Sequence, residues 1–242
     1  MIALTMTSSA LTRPSSPAIE IAGEMALLVT FGDRVDSDLL AQVRAATALL
    51  QAEQAPWLVG LIPSYASILV LFDPNVIDRV RLRRHLRRRM AELDGSPDCD
   101  SALIELPVYY SPESGPELAQ VAQRAGCTPD EVIALHSGTE YRVYALGFAP
   151  GFAYLGQVPE RLATPRLATP RASVPRGAVA IADRQTAVYP LVTPGGWNVI
   201  GLCPTPLFDP SKDPPTPWQI GDRVRFRPVD RDEFQRLGGV LS

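Results

Sequence analysis

The chain has 242 residues, 46% of them hydrophobic, which is enough to bury one large or two small cores, and its formal charge is −3. So close to neutrality, there is no electrostatic case for nucleic acid or an anionic membrane as partner. Three cysteines at wide spacings, Cys99, Cys127 and Cys203, form no CxxC and so indicate neither zinc nor a redox pair, and the only lysine, Lys212, sits in a proline-rich loop where a Schiff-base or phosphate-gripping role is not expected.

Residues 1–16 are rich in Ser, Thr and Pro without hydrophobic periodicity and read as a disordered tail. The opening lacks a basic n-region and a long apolar core, and no later stretch has the length of a membrane span, so a cytoplasmic protein is expected. Ile19 to Ile21 and Ala26 to Phe31 read as a strand or hairpin. Asp36 or Ser37 then offers an N-cap to a helix whose Leu39, Leu40, Val43, Ala46 and Leu50 recur at helical spacing.

Trp57 to Ile62 and Ser67 to Phe72 are strand candidates joined by a Pro63-Ser64 turn, and a second helix is expected from about Asn75 to Leu93. Its Leu82, Leu86, Met90 and Leu93 share one face, while Arg81, Arg84 and Arg88 point the other way as a solvated basic face. With Ala102 to Val108 as last strand, the order is βαββαβ, that of a ferredoxin-like sandwich. The turn cluster Asp94 to Asp98 marks the expected boundary between a first domain over 17–98 and a second over 99–230, the strand after it fitting either side, with 231–242 as a C-terminal tail.

Beyond that boundary, Glu117 to Ala125 fits a short helix. Thr128-Pro129-Asp130-Glu131 opens another, with Thr128 as N-cap, Pro129 at the first helical position and Glu131 completing a capping box; it ends near His136. From Tyr141 the texture changes to short apolar strands, Val143 to Leu146, Ala178 to Ala182, Ala187 to Leu191, Asn198 to Leu202 and Arg223 to Phe226, which suggests a closed or nearly closed β-barrel. The pentad repeated between Arg161 and Arg171 reads as an ordered surface loop.

Two turn-rich segments carry the chemistry. Leu146 to Gly156, LGFAPGFAYLG, combines three glycines and a proline with Phe148, Phe152 and Tyr154, the composition of a shaped loop. Gln185 to Trp197, QTAVYPLVTPGGW, adds another aromatic cluster with uncharged polar groups. No P-loop, nucleophile elbow, HExxH or clustered metal spacing occurs, so complete catalytic machinery is not expected in this chain.

These segments, with TPRLATPRASVPRGAVAIA and GDRVRF, resemble the KipI family over about residues 18 to 228. Its members are named as the B subunit of 5-oxoprolinase (PxpB), as allophanate hydrolase subunit 1, or as inhibitor of a sporulation histidine kinase. The resemblance implies an α+β chain: a ferredoxin-like βαββαβ domain followed by a cyclophilin-like β-barrel. It also implies one component of an ATP-dependent 5-oxoprolinase that is active only with a larger KipA/PxpC-type partner, with ATP and Mg bound at that partner. The alternatives are inhibition of a sensor histidine kinase and a part in allophanate hydrolase or urea carboxylase chemistry.

His136 is the catalytic candidate because it titrates near neutrality and sits where a helix runs into an apparently accessible turn, with Glu140 as a carboxylate to orient it; a histidine capping the helix C-terminus is the structural alternative. The candidate substrate-binding residues are Phe148, Pro150, Gly151, Tyr154, Arg166, Gln185, Thr186, Tyr189, Gly195, Gly196 and Trp197. Arg166, Arg171 and Arg176 are able to hold a carboxylate or phosphate bidentately, and no metal ligands are expected.

Overall fold

A computed structural model describes residues 16–93 and 101–241. The expected tail over 1–16, the turn cluster at 94–98 and Cys99 lie wholly or almost wholly outside the described residues. The chain divides into two compact units, residues 1–96 and 97–242.

The first unit runs β1 (Ala18–Ile21), β2 (Ala26–Thr30), α1 (Ser37–Ala52), β3 (Leu58–Ser64), β4 (Ser67–Phe72) and α2 (Arg79–Ala91). Its strands are antiparallel in the order β1-β2-β4-β3. Leu27 lies opposite Val70 and Val29 opposite Ile68, so one face of the sheet is apolar, and α1 and α2 bury Leu39, Val43, Leu50, Leu82 and Leu86 in the same core. Each such side chain contributes about 1.5–3 kcal/mol when fully buried.

Local chemistry sets the helix starts. Asp36 caps α1 by accepting the N–H groups of Asp38 and Leu39 at 2.8 and 3.3 Å. Helix α2 begins four residues later than its apolar pattern alone suggests, because Asp78 accepts from Val80 and Arg81 at 2.9 Å each while Asn75 is held in a turn by Asp73.

The strand after the boundary, open to either domain from the sequence, lies in the second unit. It forms β5 (Leu103–Tyr109), parallel to β13 (Arg223–Val229) over its whole length, with Leu106 opposite Phe226. The edge of the sheet beside β2 is filled by β1 through a local hairpin, so the first unit runs ββαββα.

After β5, the second unit continues with α3 (Leu118–Ala125), α4 (Pro129–Ser137), β6 (Glu140–Leu146), β7 (Ala153–Gly156), β8 (Arg171–Val174), β9 (Ala178–Ala182), β10 (Gln185–Val188), β11 (Thr193–Gly195), β12 (Asn198–Leu202), β13 and α5 (Arg231–Arg236). Seven strands close a barrel in the order β6-β13-β5-β12-β9-β10-β7, and β7 returns to β6; β8 and β11 form a separate ribbon. Inward residues such as Val143, Leu155, Ile181, Ile200, Val224 and Phe226 pack with α3 and α4. The expected capping box opens α4 as written in its sequence: Thr128 Oγ1 accepts from Glu131 N at 3.2 Å, and the Glu131 carboxylate accepts from Thr128 N at 2.8 Å.

The second half of the glycine-aromatic segment is not loop but strand β7, paired with both β6 and β10. Residues 231–242 are not simply a tail: Asp230 caps α5, and Phe234 is buried against Tyr109 with ring centroids 5.6 Å apart.

Candidate functional site

The turn from β6 into β7 passes through Gly147 at φ 150°, Phe148 at φ 68° and Gly151 at φ 82°. A phenylalanine pays on the order of 1–2 kcal/mol for that conformation, and the strain is offset by ring contacts. Phe148 stands edge-on to Phe152 at 5.1 Å and to Tyr189 at 6.3 Å, yet it remains 62% exposed. Gly151 fixes the turn against a neighbouring loop: a Cβ there would lie 2.5 Å from the Leu207 carbonyl oxygen and 2.9 Å from Phe208 Cβ. Pro150, between them, is exposed.

Below the turn, the two aromatic segments meet. Phe152 packs edge-on against Tyr154, Tyr189 and Trp197 at 4.9, 5.4 and 5.9 Å, and Tyr154 lies 6.0 Å from Trp197. Phe152, Tyr189 and Trp197 are buried, so the cluster has an apolar floor, while Phe148 and the half-buried Tyr154 lie nearer solvent. Gly195 is required by this packing, since its Cβ would fall 2.5 Å from the Tyr189 hydroxyl. Burial raises the Tyr189 pKa, partly opposed by a hydrogen bond from the Trp197 backbone N–H and by the nearby Arg166 and Arg171 charges, so the phenol stays protonated at neutral pH.

Two arginines border the floor and differ in state. Arg171, opposite Gly195 in the β8–β11 ribbon, makes a two-pronged ion pair with Glu117, whose carboxylate also accepts the Val199 N–H at 2.9 Å. Glu117 is buried, and these donors satisfy its oxygens. Arg166 is exposed, and its guanidinium carbon lies 6.0 Å from the Trp197 ring centroid. Sequence reasoning misses Glu117, because a carboxylate just before an apolar helix reads as an ordinary solvated end. Arg176 is exposed.

His136 lies elsewhere, and not in the accessible turn expected for it. It is fully buried, stacked on Phe226 with ring centroids 4.6 Å apart. Thr186 Oγ1 donates to the Ala180 carbonyl at 3.0 Å and therefore accepts from His136 Nε2 at 2.9 Å. That leaves Nδ1 to accept from the Tyr110 hydroxyl at 2.8 Å, a phenol whose pKa burial pushes well above the usual value. The ring is thus a neutral Nε2–H tautomer with both nitrogens engaged, and burial pulls its pKa down to about 3. Tyr141 closes the arrangement by donating to the His136 carbonyl at 2.9 Å. The geometry is that of a polar bolt in an apolar core, not of an accessible acid or base.

Glu140 does not orient His136. It opens β6 beside β13 and pairs with Arg223 and Arg225 at 3.5 and 3.4 Å. Thr186 faces the barrel interior with His136, whereas its neighbour Gln185, half-buried at the start of β10, pairs in register with Gly156 and Ala182. The structure therefore brings together Phe148, Tyr154, Tyr189, Gly195, Gly196, Trp197 and Arg166, and separates His136, Glu140 and Thr186 from them. Among the described residues, no group of three or more His, Cys, Asp or Glu side chains is placed to hold a metal ion, and no helix is long and apolar enough to cross a membrane.

Residues 17–218 match the family described as carboxyltransferase domain, subdomain C and D. The chain belongs to this family, within the group of proteins named as the B subunit of 5-oxoprolinase. It is 38% identical over 226 residues to the 5-oxoprolinase B subunit of Bacillus subtilis (strain 168), a match covering 89% of this chain and 94% of that one. The solved structure of TTHA0988 is 36% identical with a TM-score of 0.76, covering 85% of this chain; the chain spans only 40% of that longer protein. Urea amidolyase of K. lactis, at 19% identity and TM-score 0.74 over 91% of this chain and 15% of its own, shares the fold.

Proposed function

We propose that the chain is one component of a heteromeric, ATP-dependent 5-oxoprolinase that hydrolyses 5-oxo-L-proline to L-glutamate, and that it turns over only with a larger KipA/PxpC-type partner. The observation that carries this reading is near end-to-end similarity, 94% of the B. subtilis protein's length, to a relative whose name makes it a subunit of that enzyme. The aromatic floor suits the ligand: a flat five-membered lactam has apolar faces for Trp197 and Tyr154 and polar edges for hydrogen bonds. In this reading the protein is cytoplasmic, the barrel is of the cyclophilin-like kind, and the first unit is a ferredoxin-like sandwich whose edge strand comes from β1.

Among the described residues, no acidic cluster of the kind that holds magnesium is present. In this reading ATP and Mg are held with the partner, and this chain's part is to bind and orient the lactam and to wall it from water. Deletion of the gene in its native host tests the proposal. Loss of growth on 5-oxoproline as nitrogen source, restored by the wild-type chain, is expected; unimpaired growth of the deletion strain overturns it.

A further inference from the structure

Of the two arginines beside the aromatic floor, one is already neutralised and the other has no ion-pair partner among the described residues. Arg171 has both terminal nitrogens on the buried carboxylate of Glu117, and its charge is matched there. Arg166 makes no such pair, and its guanidinium is near the Trp197 face. Its backbone is nevertheless held on both sides. The Pro165 carbonyl accepts from Asn198 Nδ2 at 2.9 Å, and the Leu167 N–H donates to the Gly196 carbonyl at 2.7 Å. Asn198 is itself buried and also donates to the Ile181 carbonyl at 3.0 Å, which ties this anchor to the barrel wall. Both pins come from the residues flanking Trp197, so the segment that supplies the indole also fixes where Arg166 starts.

An exposed arginine held by its neighbours and left without a carboxylate partner is a preorganised receptor for a planar anion. We propose that Arg166 is the specificity-determining residue of the site and binds the carboxylate of a small cyclic amide acid whose ring lies against Trp197 and Tyr154. Arg171 plays a different part: paired with Glu117, it braces the β8–β11 ribbon and takes no ligand carboxylate. The inference rests on the substrate reading above for its ligand, but the geometry requires only a carboxylate next to a flat apolar ring.

The test uses two ligands that differ in one group, 5-oxo-L-proline and 2-pyrrolidinone, the same lactam without the carboxylate. Both are titrated into the full chain with its co-purified partner, followed by tryptophan fluorescence, for wild type, Arg166→Gln and Arg166→Lys. Wild type is expected to prefer the acid by about tenfold or more, Arg166→Gln to lose that preference, and Arg166→Lys to keep part of it. A wild type that does not discriminate, or an Arg166→Gln variant that still does, overturns the proposal. Turnover of 5-oxoproline read in parallel separates the two ideas. Normal turnover with an unchanged KM in Arg166→Gln sinks the carboxylate site and leaves the enzyme reading standing. Carboxylate-dependent binding without wild-type turnover does the reverse.

Discussion

The Nε2 of His136 lies 2.9 Å from the hydroxyl of Thr186, fifty residues along the chain, and this contact bolts helix α4 to strand β10 inside the barrel. With Tyr110 on Nδ1, it leaves the imidazole no free nitrogen with which to serve a substrate. His136→Ala therefore removes a packed ring and strands the Tyr110 hydroxyl, while Thr186 keeps its bond to the Ala180 carbonyl. A loss of roughly 2–5 kcal/mol in unfolding free energy is expected, measured by denaturant titration.

The same burial sets a pH dependence. With a folded-state pKa of about 3 against the ordinary 6.5, His136 stays neutral in the folded protein while the unfolded chain takes up a proton. Its contribution to stability is complete above about pH 6.5 and is lost as pH falls toward 3, on the order of 1 kcal/mol per pH unit in that window. Unfolding measured from pH 7 to 4 is expected to show this slope in wild type and a shallower one in His136→Gln.

Gly147 and Gly151 separate backbone strain from steric exclusion. Both have positive φ, but a Cβ at Gly147 meets open space whereas one at Gly151 runs into the Leu207 carbonyl. Gly151→Ala is expected to lower the thermal midpoint more than Gly147→Ala, with at least about 1 kcal/mol between them. Equal midpoints would mean that the 206–208 segment yields freely.

Glu117 holds Arg171 and the Val199 N–H at once. Glu117→Ala leaves a half-buried guanidinium and a buried amide without their acceptor, and roughly 2–3 kcal/mol of stability is expected to go with it. Arg171→Ala, which leaves the carboxylate its amide donor, should cost less in the same assay.

On α2, the arginines are not equivalent. Arg89 reaches the Glu53 carboxylate at 2.5 Å, and His85 shares that acceptor at 2.8 Å, whereas Arg84 is exposed and makes no ion pair among the described residues. Arg89→Ala is expected to lower the thermal midpoint and Arg84→Ala to leave it unchanged, as a solvated basic face requires.

Local signals were legible in the sequence and distant pairings were not. The Thr128 to Glu131 capping box, the apolar stripe of α1 and strands such as Ala178–Ala182 follow from neighbours within a few residues. The parallel pairing of β5 with β13 joins segments about 120 residues apart, and nothing in the composition of Leu103–Tyr109 names that partner. For His136 a signal existed: Val132 and His136 are four apart on α4 and share its buried stripe, but the following Ser137 and Gly138 read as an accessible turn. The aromatic floor was visible as composition, while the contrast between Arg166 and Arg171 needed Glu117, which only the fold brings to the ribbon.

On the proposed function, this chain's site works only in an assembly with a larger partner. The most direct measurement follows glutamate and ADP released from 5-oxo-L-proline and Mg-ATP by the purified chain, by its larger partner, and by the two combined. Formation of both products in a one-to-one ratio only when the proteins are combined is the predicted result. Turnover by this chain alone at the rate of the combination, or no turnover by the combination, contradicts the account.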